Sequence, residues 1–278
     1  MTVLEIAAPD GTVSRAVLRV LSEGVLQGRP SAAADEFRTL TALFAAGVRV
    51  PRPLLLDDSR TVLPVPYLVL TYIEGAPDYD PASRVAYEQK RARELARIHA
   101  VDTARPGPAS LPRRTHAFAS NLRGRTPAPI SPLDKQRIHT ALEPFWQTAP
   151  RNASVLLHGD LWPGNLLWRD GELVAVLDWE DACVGDPLAD LAICRLDSLL
   201  ILGSAAMDAF TERYLAITGV ERQHLPYWDL CAALRAAPVI STWAAGFPAL
   251  GRPDITDGTM STALQAFADD ALTNISNL

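Results

Sequence analysis

Alternating and continuous apolar runs occupy the first quarter of the chain. Residues Thr2–Ile6 and Ser14–Val20 are two short runs separated by Pro9-Asp10-Gly11, a pattern that predicts an antiparallel hairpin. Tyr67–Ile73 is apolar at almost every position, as is typical of a strand buried on both faces. This part of the chain therefore predicts a small β-sheet.

Helical periodicity replaces the strand pattern elsewhere. A first helix is expected from about residue 32 to 46, with Ser31 as N-cap and Gly47 as its end. A second is expected to start at Asp80-Pro81 and run to about residue 100, and a third to start at Asp186-Pro187. Residues 207 to 278 are mostly helical by periodicity. The pattern indicates an α+β fold in which the strands come early and the helices later.

A further hairpin is predicted near the middle of the chain. The apolar runs Leu166–Trp168 and Leu173–Leu177 flank Asp170-Gly171, a dipeptide strongly favoured in tight β-turns. With these two turn residues, Asn165 would face Val176, and Asp178 would lie two residues further along the same strand.

Three polar residues around this hairpin have the types that phosphoryl transfer requires. Because side chains alternate across a strand, Asn165 and Asp178 would share one face, roughly 7 Å apart. They would supply hard oxygen ligands for one divalent cation. Asp160 precedes Asn165 by five residues, which is the spacing of the protein-kinase catalytic loop. Asp160 would orient the attacking hydroxyl and accept its proton.

The segment from Leu156 to Ala192 resembles the aminoglycoside phosphotransferase and choline-kinase-like family. The resemblance rests on His158-Gly159-Asp160 with Asn165, on the following hairpin, and on Asp178-Trp179. It implies a bilobal protein-kinase-like fold with a small antiparallel β N-terminal lobe and a larger, mainly helical C-terminal lobe. It also implies ATP with Mg²⁺, and a small hydroxylated acceptor.

The resemblance assigns the nucleotide-binding residues to the first lobe, residues 1–75. Arg19 matches the strand residue that contacts nucleotide phosphates, and Thr71 and Ile73 match the hinge that binds adenine. Glu36 lies on the apolar stripe of the first helix, where a carboxylate needs a partner. Arg19 is the natural candidate; a solvated position at the rim of the stripe is the alternative.

The second lobe, residues 76–278, is expected to carry the catalytic loop, the metal site and the helical acceptor region. His158 is expected to brace the loop by hydrogen bonding, and Asp190 matches a family carboxylate that supports the loop backbone. Relative to the family, the first strand and the phosphate-covering loop are missing at the start of the chain, so the N-terminal lobe is expected to be truncated.

Two other functions are compatible with these residues. The truncation favours a non-catalytic kinase-like protein that binds a nucleotide or a small molecule. A metal-dependent phosphohydrolase would use His158, Asp160 and Asp178 together with Asp186 and Asp190. The kinase spacing of Asn165 disfavours the phosphohydrolase.

Composition narrows the class of partner. The 278 residues carry a formal net charge of −6, which argues against nucleic-acid binding. No uncharged apolar run reaches the ~20 residues of a membrane-spanning helix, so a cytoplasmic protein is expected. Because Asp160 is followed by Glu180 and Asp181, a cationic hydroxylated acceptor is favoured.

Overall fold

The computed structural model describes residues 1–7, 11, 13–114, 133–145 and 152–275. Its strands are β1 (Thr2–Ala7), β2 (Val13–Val20), β3 (Pro53–Asp57), β4 (Tyr67–Thr71), β5 (Arg113–Arg114), β6 (Val155–Leu157), β7 (Leu166–Arg169), β8 (Glu172–Val176) and β9 (Cys183–Gly185). Its helices are α1 (Glu23–Gly28), α2 (Ala32–Ala45), α3 (Arg84–His99), α4 (Lys135–Leu142), α5 (Pro187–Leu202), α6 (Ser204–Thr218), α7 (Leu225–Ala236), α8 (Ile240–Gly246) and α9 (Asp257–Ile275).

The early strands form one antiparallel sheet in the order β1-β2-β4-β3. The predicted N-terminal hairpin is present, and of its predicted turn only Gly11 lies among the described residues. The apolar strand β4 lies between β2 and β3, and its side chains are buried or half-buried at every position, in agreement with a sequence that does not alternate. Helix α2 packs against β3 and β4, so one face of this sheet is covered.

The later part of the chain is mainly helical, as the periodicity predicts. Helix α5 is the central element, because α6, α7 and α9 pack on it and most of its residues are buried. Its start matches the prediction, since the Asp186 side chain accepts a hydrogen bond from the Leu188 backbone N–H at 2.9 Å. Two small sheets, β5-β9-β6 and the β7-β8 hairpin, complete the described strands.

The predicted start of the second helix is wrong by three residues. Helix α3 begins at Arg84, and Ser83 caps it by accepting from the Ala86 backbone N–H at 3.3 Å. The Asp80 carboxylate instead pairs with the Arg84 side chain at 3.0 Å. Two side chains that can both act as N-caps stand close together here, and only tertiary packing selects between them.

In the described part of the chain no single helix is long and apolar enough to cross a membrane. The bent pair Leu225–Ala236 and Ile240–Leu250 reaches that length and apolarity only when its two members are taken together.

Candidate active site

The loop after β6 is held in place by one buried carboxylate. Asp190, near the start of α5, accepts from the backbone N–H groups of His158 at 2.7 Å and Gly159 at 2.9 Å. It also contacts His99 Nε2 on α3 at 3.3 Å. Burial by itself would raise the pKa of Asp190, but the hydrogen bond from His99 and the neighbouring histidines hold it below its usual value. The carboxylate therefore stays charged and fixes the loop backbone.

His158 closes the other side of this loop. Its Nδ1 accepts from the Asp160 backbone N–H at 3.2 Å, so the proton lies on Nε2, which donates to the Leu177 carbonyl at 3.0 Å. Burial lowers the pKa of His158, which favours this neutral form. Both ring nitrogens are occupied by backbone partners, and the geometry is that of a bracing residue rather than of a general base.

The two glycines of the loop are required by shape. Gly159 has φ +84°, and a Cβ there would lie 2.7 Å from the Asp181 carbonyl oxygen. At Gly164 a Cβ would meet the Trp162 ring at 2.1 Å. A side chain at position 159 would therefore displace the backbone near Asp160, and one at position 164 would displace the Trp162 ring.

Asp160 lies at the centre of this loop with its side chain 35% exposed. Its Oδ1 pairs with Arg235 Nη2 on α7 at 2.7 Å. The Asn165 amide nitrogen donates to the Asp160 carbonyl at 2.8 Å and to its carboxylate at 3.3 Å. The carboxylate is thus held in a fixed orientation and remains open to a small molecule.

The hairpin register differs from the prediction by one residue. Leu166 pairs with Val176 after an irregularity between Leu167 and Trp168, and the Leu177 N–H donates to the Asn165 carbonyl at 2.8 Å. Asn165 therefore faces Leu177 and not Val176. The extra residue of a β-bulge shifts all later pairs, and the sequence around Asp170-Gly171 contains no signal for it.

Asp178 also departs from the predicted strand geometry. Strand β8 ends at Val176, and Asp178 has φ 60° in the left-handed region, so strand alternation does not set the direction of its side chain. Strained backbone of this kind in a non-glycine residue is often found at functional sites. Asp178 Oδ1 meets Arg19 Nη2 at 3.0 Å. The structure thus brings Asn165 to Asp160, and Asp178 to Arg19.

Arg19 connects the early sheet to this loop. Its Nε lies 2.6 Å from Glu36 Oε1 on α2, so the predicted ion pair is present and buried. Its Nη2 also lies 3.4 Å from Glu180. Burial by itself would lower the pKa of Arg19, but the carboxylates of Glu36, Asp178 and Glu180 outweigh it. Burial raises the pKa of Glu36, against the opposing effect of Arg19.

A cleft of about 250 Å³ lies between the early sheet and the β7-β8 hairpin. Thr71 and Ile73 line the same cleft, together with Arg19, Glu36 and Asp178. The Thr71 N–H donates to the Arg52 carbonyl at 2.9 Å, and its hydroxyl accepts from the Arg52 N–H at 2.9 Å. The Thr71 amide is therefore engaged within the sheet and is not free to bind a ligand in the cleft.

A second cavity, of about 430 Å³, is lined by residues of the loop. Asp160, Arg235 and Asp197 line it, and most of its remaining wall is apolar. Burial raises the pKa of Asp197 to about 7, with Arg91 opposing the shift. The Asp160 carboxylate thus faces a space large enough for a small organic molecule.

The sequence analysis missed Arg91, Asp197 and Arg235. Arg91 is completely buried on α3 and donates to the Leu161 carbonyl of the loop at 3.1 Å and to Glu88 at 2.9 Å. Asp197 and Arg235 are charged residues among apolar neighbours on a helix, so the argument that paired Glu36 would have identified them as buried, although not their partners. Arg91 is flanked by Lys90 and Arg93, and its sequence neighbours do not indicate that it is buried.

The described residues contain no group of three or more His, Cys, Asp or Glu side chains arranged to hold a metal ion. Asp186 caps α5, and Asp190 and His158 are occupied by the loop backbone. The acidic cluster that a phosphohydrolase would require is therefore not formed by these side chains.

Comparisons with known proteins agree with this geometry. A family model described as the phosphotransferase enzyme family matches residues 7–234. Viomycin phosphotransferase from Streptomyces vinaceus is 31% identical over 67% of this chain and 71% of its own length. Mouse acyl-CoA dehydrogenase family member 10 is 27% identical over 82% of this chain, but the chain spans only 22% of that relative.

Solved structures show the same fold at low sequence identity. Choline kinase LicA from Streptococcus pneumoniae is similar with a TM-score of 0.61 and 18% identity, over 100% of this chain and 94% of that one. An aminoglycoside phosphotransferase from Streptomyces rimosus, solved with ADP and streptomycin, has a TM-score of 0.57 and 18% identity over 83% of this chain and 92% of its own. The chain belongs to the phosphotransferase enzyme family and has the protein-kinase-like fold of its aminoglycoside phosphotransferases and choline kinases.

Proposed function

We propose that this protein is an ATP- and magnesium-dependent phosphotransferase that moves the γ-phosphoryl group to a hydroxyl of a small molecule. The observation that carries the proposal is that Asp160 lines a cavity of about 430 Å³, whereas Arg19, Glu36 and Asp178 line a separate cleft. Residues 1–75 would hold the nucleotide, and residues 76–278 the acceptor.

The acceptor hydroxyl oxygen forms a bond to the γ-phosphorus, while the bond from that phosphorus to the bridging oxygen of ADP breaks. The acceptor proton passes to the Asp160 carboxylate, which acts as general base. Asn165 and Arg235 hold this carboxylate at 3.3 Å and 2.7 Å, respectively, so it needs little reorientation.

Magnesium fits the oxygen atoms that remain available. The Asn165 amide nitrogen donates to Asp160, which leaves its Oδ1 as a hard oxygen ligand. Asp178 uses Oδ1 for Arg19 and keeps Oδ2. Asn165 and Asp178 are therefore the residues that would hold the ion, and the ion would neutralise charge on the phosphates. Arg19, held by Glu36, would contact the phosphates directly.

Thr71 and Ile73 are assigned to the nucleotide because they line the cleft. Because the Thr71 amide is bonded to Arg52, any contact from Thr71 to adenine would come from its carbonyl oxygen. Ile73 lies beyond the end of β4 and would contribute from the coil. Both positions line the cleft with Arg19, which supports the nucleotide assignment.

A coupled assay of ADP release tests the proposal. Wild-type protein with ATP, Mg²⁺ and a panel of alcohols should release ADP together with a phosphorylated acceptor. Asp160→Ala should lower the rate about 10²–10⁴-fold, the usual contribution of a general base. Nucleotide binding should remain, because Asp160 does not line the nucleotide cleft. Near wild-type turnover in Asp160→Ala, or nucleotide binding without any phosphorylated product, would contradict the proposal; the second result would favour a non-catalytic binding protein.

A further inference from the structure

The cavity beside Asp160 has mainly apolar walls. They come from the loop, from α5, from the segment 243–250 and from α9. The side chains that form them are Trp162, Leu200, Trp243, Phe247, Leu250 and Met260. Phe247 and Met260 are buried within the helical core, so these walls are firmly supported. A molecule that binds here exchanges water contacts for apolar surface over most of its body.

Charge in this cavity is concentrated at one end and is nearly balanced. The Asp160 carboxylate is paired with Arg235 at 2.7 Å. The other carboxyl group in the lining belongs to Asp197, which faces Arg91 at 4.0 Å. Burial raises the pKa of Asp197 to about 7, so this group carries only part of a negative charge at neutral pH.

The acidic residues that favoured a cationic acceptor do not line this cavity, although the negative charge of Asp181 helps to raise the pKa of Arg235. Glu180 meets Arg19 at 3.4 Å on the nucleotide side, and neither Glu180 nor Asp181 is among the described residues that line the acceptor cavity. The expectation of a cationic acceptor rested on their proximity to Asp160 in sequence, and this arrangement of the carboxylates does not support it.

Arg235 adds a specific obstacle to cations. Its guanidinium, 27% exposed, already occupies one oxygen of the catalytic carboxylate. An ammonium group close to the reacting hydroxyl would approach this guanidinium, and like charges placed together in a partly buried site repel strongly. A neutral or anionic oxygen on the acceptor would instead meet a hydrogen-bond donor.

We propose that the acceptor is an alcohol with a mainly apolar body and no net positive charge, and that Arg235 selects against cationic acceptors. The inference rests on the proposed phosphotransferase function, because it assigns the cavity beside Asp160 to the acceptor. Arg235 is then a specificity-determining residue, and the walls around Phe247 determine the apolar character of the substrate.

Matched probes test the charge selection. They are benzyl alcohol, its para-carboxylate and its para-trimethylammonium derivative, with choline and kanamycin as cationic references. Turnover is followed by ADP release and phosphorylated product, and binding is followed separately by ligand-observed NMR. In wild type, kcat/KM for the neutral and carboxylate alcohols should exceed that for the trimethylammonium alcohol by at least about tenfold.

Variants of Arg235 separate charge from a loss of structure. Arg235→Gln should reduce this discrimination about tenfold or more, whereas Arg235→Lys keeps the positive charge and should preserve it. A purely structural role in orienting Asp160 would lower kcat for all alcohols equally and leave the ratio unchanged. An unchanged ratio in Arg235→Gln would therefore overturn the role of Arg235.

The apolar wall is tested at a position that tolerates substitution. Leu250 is 39% exposed and lines the cavity, so Leu250→Asp should fold and should raise KM for benzyl alcohol about tenfold or more. The matched control is Ile217→Asp, at a residue that is 43% exposed on α6 and outside the cavity, which should leave KM unchanged.

The outcomes distinguish this inference from the proposed function. Best turnover of kanamycin or choline would overturn the inference and leave the phosphotransferase standing. Binding of the neutral and carboxylate alcohols without any phosphorylated product would support the assignment of the pocket and remove the proposed function. Absence of both binding and turnover for these two alcohols would overturn the inference.

Discussion

Replacing Asp190 by Asn is a direct test of how the loop that carries Asp160 is held. The side chain keeps its shape and loses its charge and one acceptor oxygen. In the wild type its two oxygens accept from the backbone N–H groups of His158 and Gly159, at 2.7 and 2.9 Å. The Asn amide can accept only one of these bonds, and its NH₂ group would face the other N–H.

The cost follows from these contacts. A hydrogen bond to a charged group contributes about 1.5–3 kcal/mol, and such bonds are roughly twice as strong as neutral ones. In Asp190→Asn one of the two backbone N–H groups loses its acceptor and stays buried. The other keeps a hydrogen bond, but to a neutral amide oxygen instead of a charged carboxylate. We therefore expect Asp190→Asn to lower the free energy of unfolding by about 3–5 kcal/mol. That is a large part of the 5–15 kcal/mol typical of a folded protein.

The effect should depend on pH with a defined sign. Because the pKa of Asp190 lies below its unfolded value, its contribution is fully present above the unfolded pKa of about 3.9. The contribution is lost as the pH falls through the folded pKa. The difference in stability between wild type and Asp190→Asn should therefore be constant at neutral pH and should shrink below about pH 4.

Urea unfolding measures this directly. Tryptophan fluorescence is a suitable signal, because the Trp179 ring is buried and its centroid lies 4.6 Å from that of His158. Far-UV circular dichroism reports the helices in parallel. Asp208→Asn, at an exposed residue on α6, is the matched control and should change stability by less than about 0.5 kcal/mol. A loss smaller than about 1 kcal/mol in Asp190→Asn would refute the reasoning.

Three further predictions concern the charged residues of the site. Asp178→Ala should weaken binding of magnesium-ATP more than Asn165→Ala does, because Asp178 brings the charge; undiminished binding in calorimetry would argue against the metal assignment. Glu36→Leu alone should cost about 1.5–3 kcal/mol, because the buried Arg19 side chain loses the nearest of its three carboxylate partners. The double variant Arg19→Met, Glu36→Leu should then be more stable than Glu36→Leu, and a double-mutant cycle in urea checks this. The raised pKa of Asp197 means that its ionisation reduces stability as the pH rises from about 4 to 7. In Asp197→Asn the free energy of unfolding should fall by about 2–4 kcal/mol less than in the wild type over this pH range. The same dependence of stability on pH in both proteins would contradict this prediction.

Short-range sequence patterns were sufficient to predict much of the fold. The N-terminal hairpin, helices α2 and α5 and the turn at Asp170-Gly171 all follow from short-range chemistry. In the last case both turn residues have positive φ, at 52° and 73°, as the dipeptide predicts. The start of α3 and the register of β7-β8 did not follow, because competing caps and a β-bulge are chosen by packing against the rest of the chain.

The same division applies to the site. By itself the sequence predicted Asp160, Asn165 and Asp178 as residues of a phosphoryl-transfer site, from their types and spacing. It also identified Glu36 as a carboxylate in need of a partner, and that partner is Arg19 at 2.6 Å. Such inferences succeed because the periods of helices and strands decide which residues a few positions apart share a face.

Only the tertiary structure decided what surrounds the reacting groups. Arg235 lies 75 residues from Asp160 in sequence and meets its carboxylate at 2.7 Å, and nothing local to either residue indicates the pair. Asp197 and the apolar walls converge on the same cavity from separate helices. Ion pairs and pockets of this kind depend on how helices pack against one another, and residues distant in the chain become neighbours only when the core has formed.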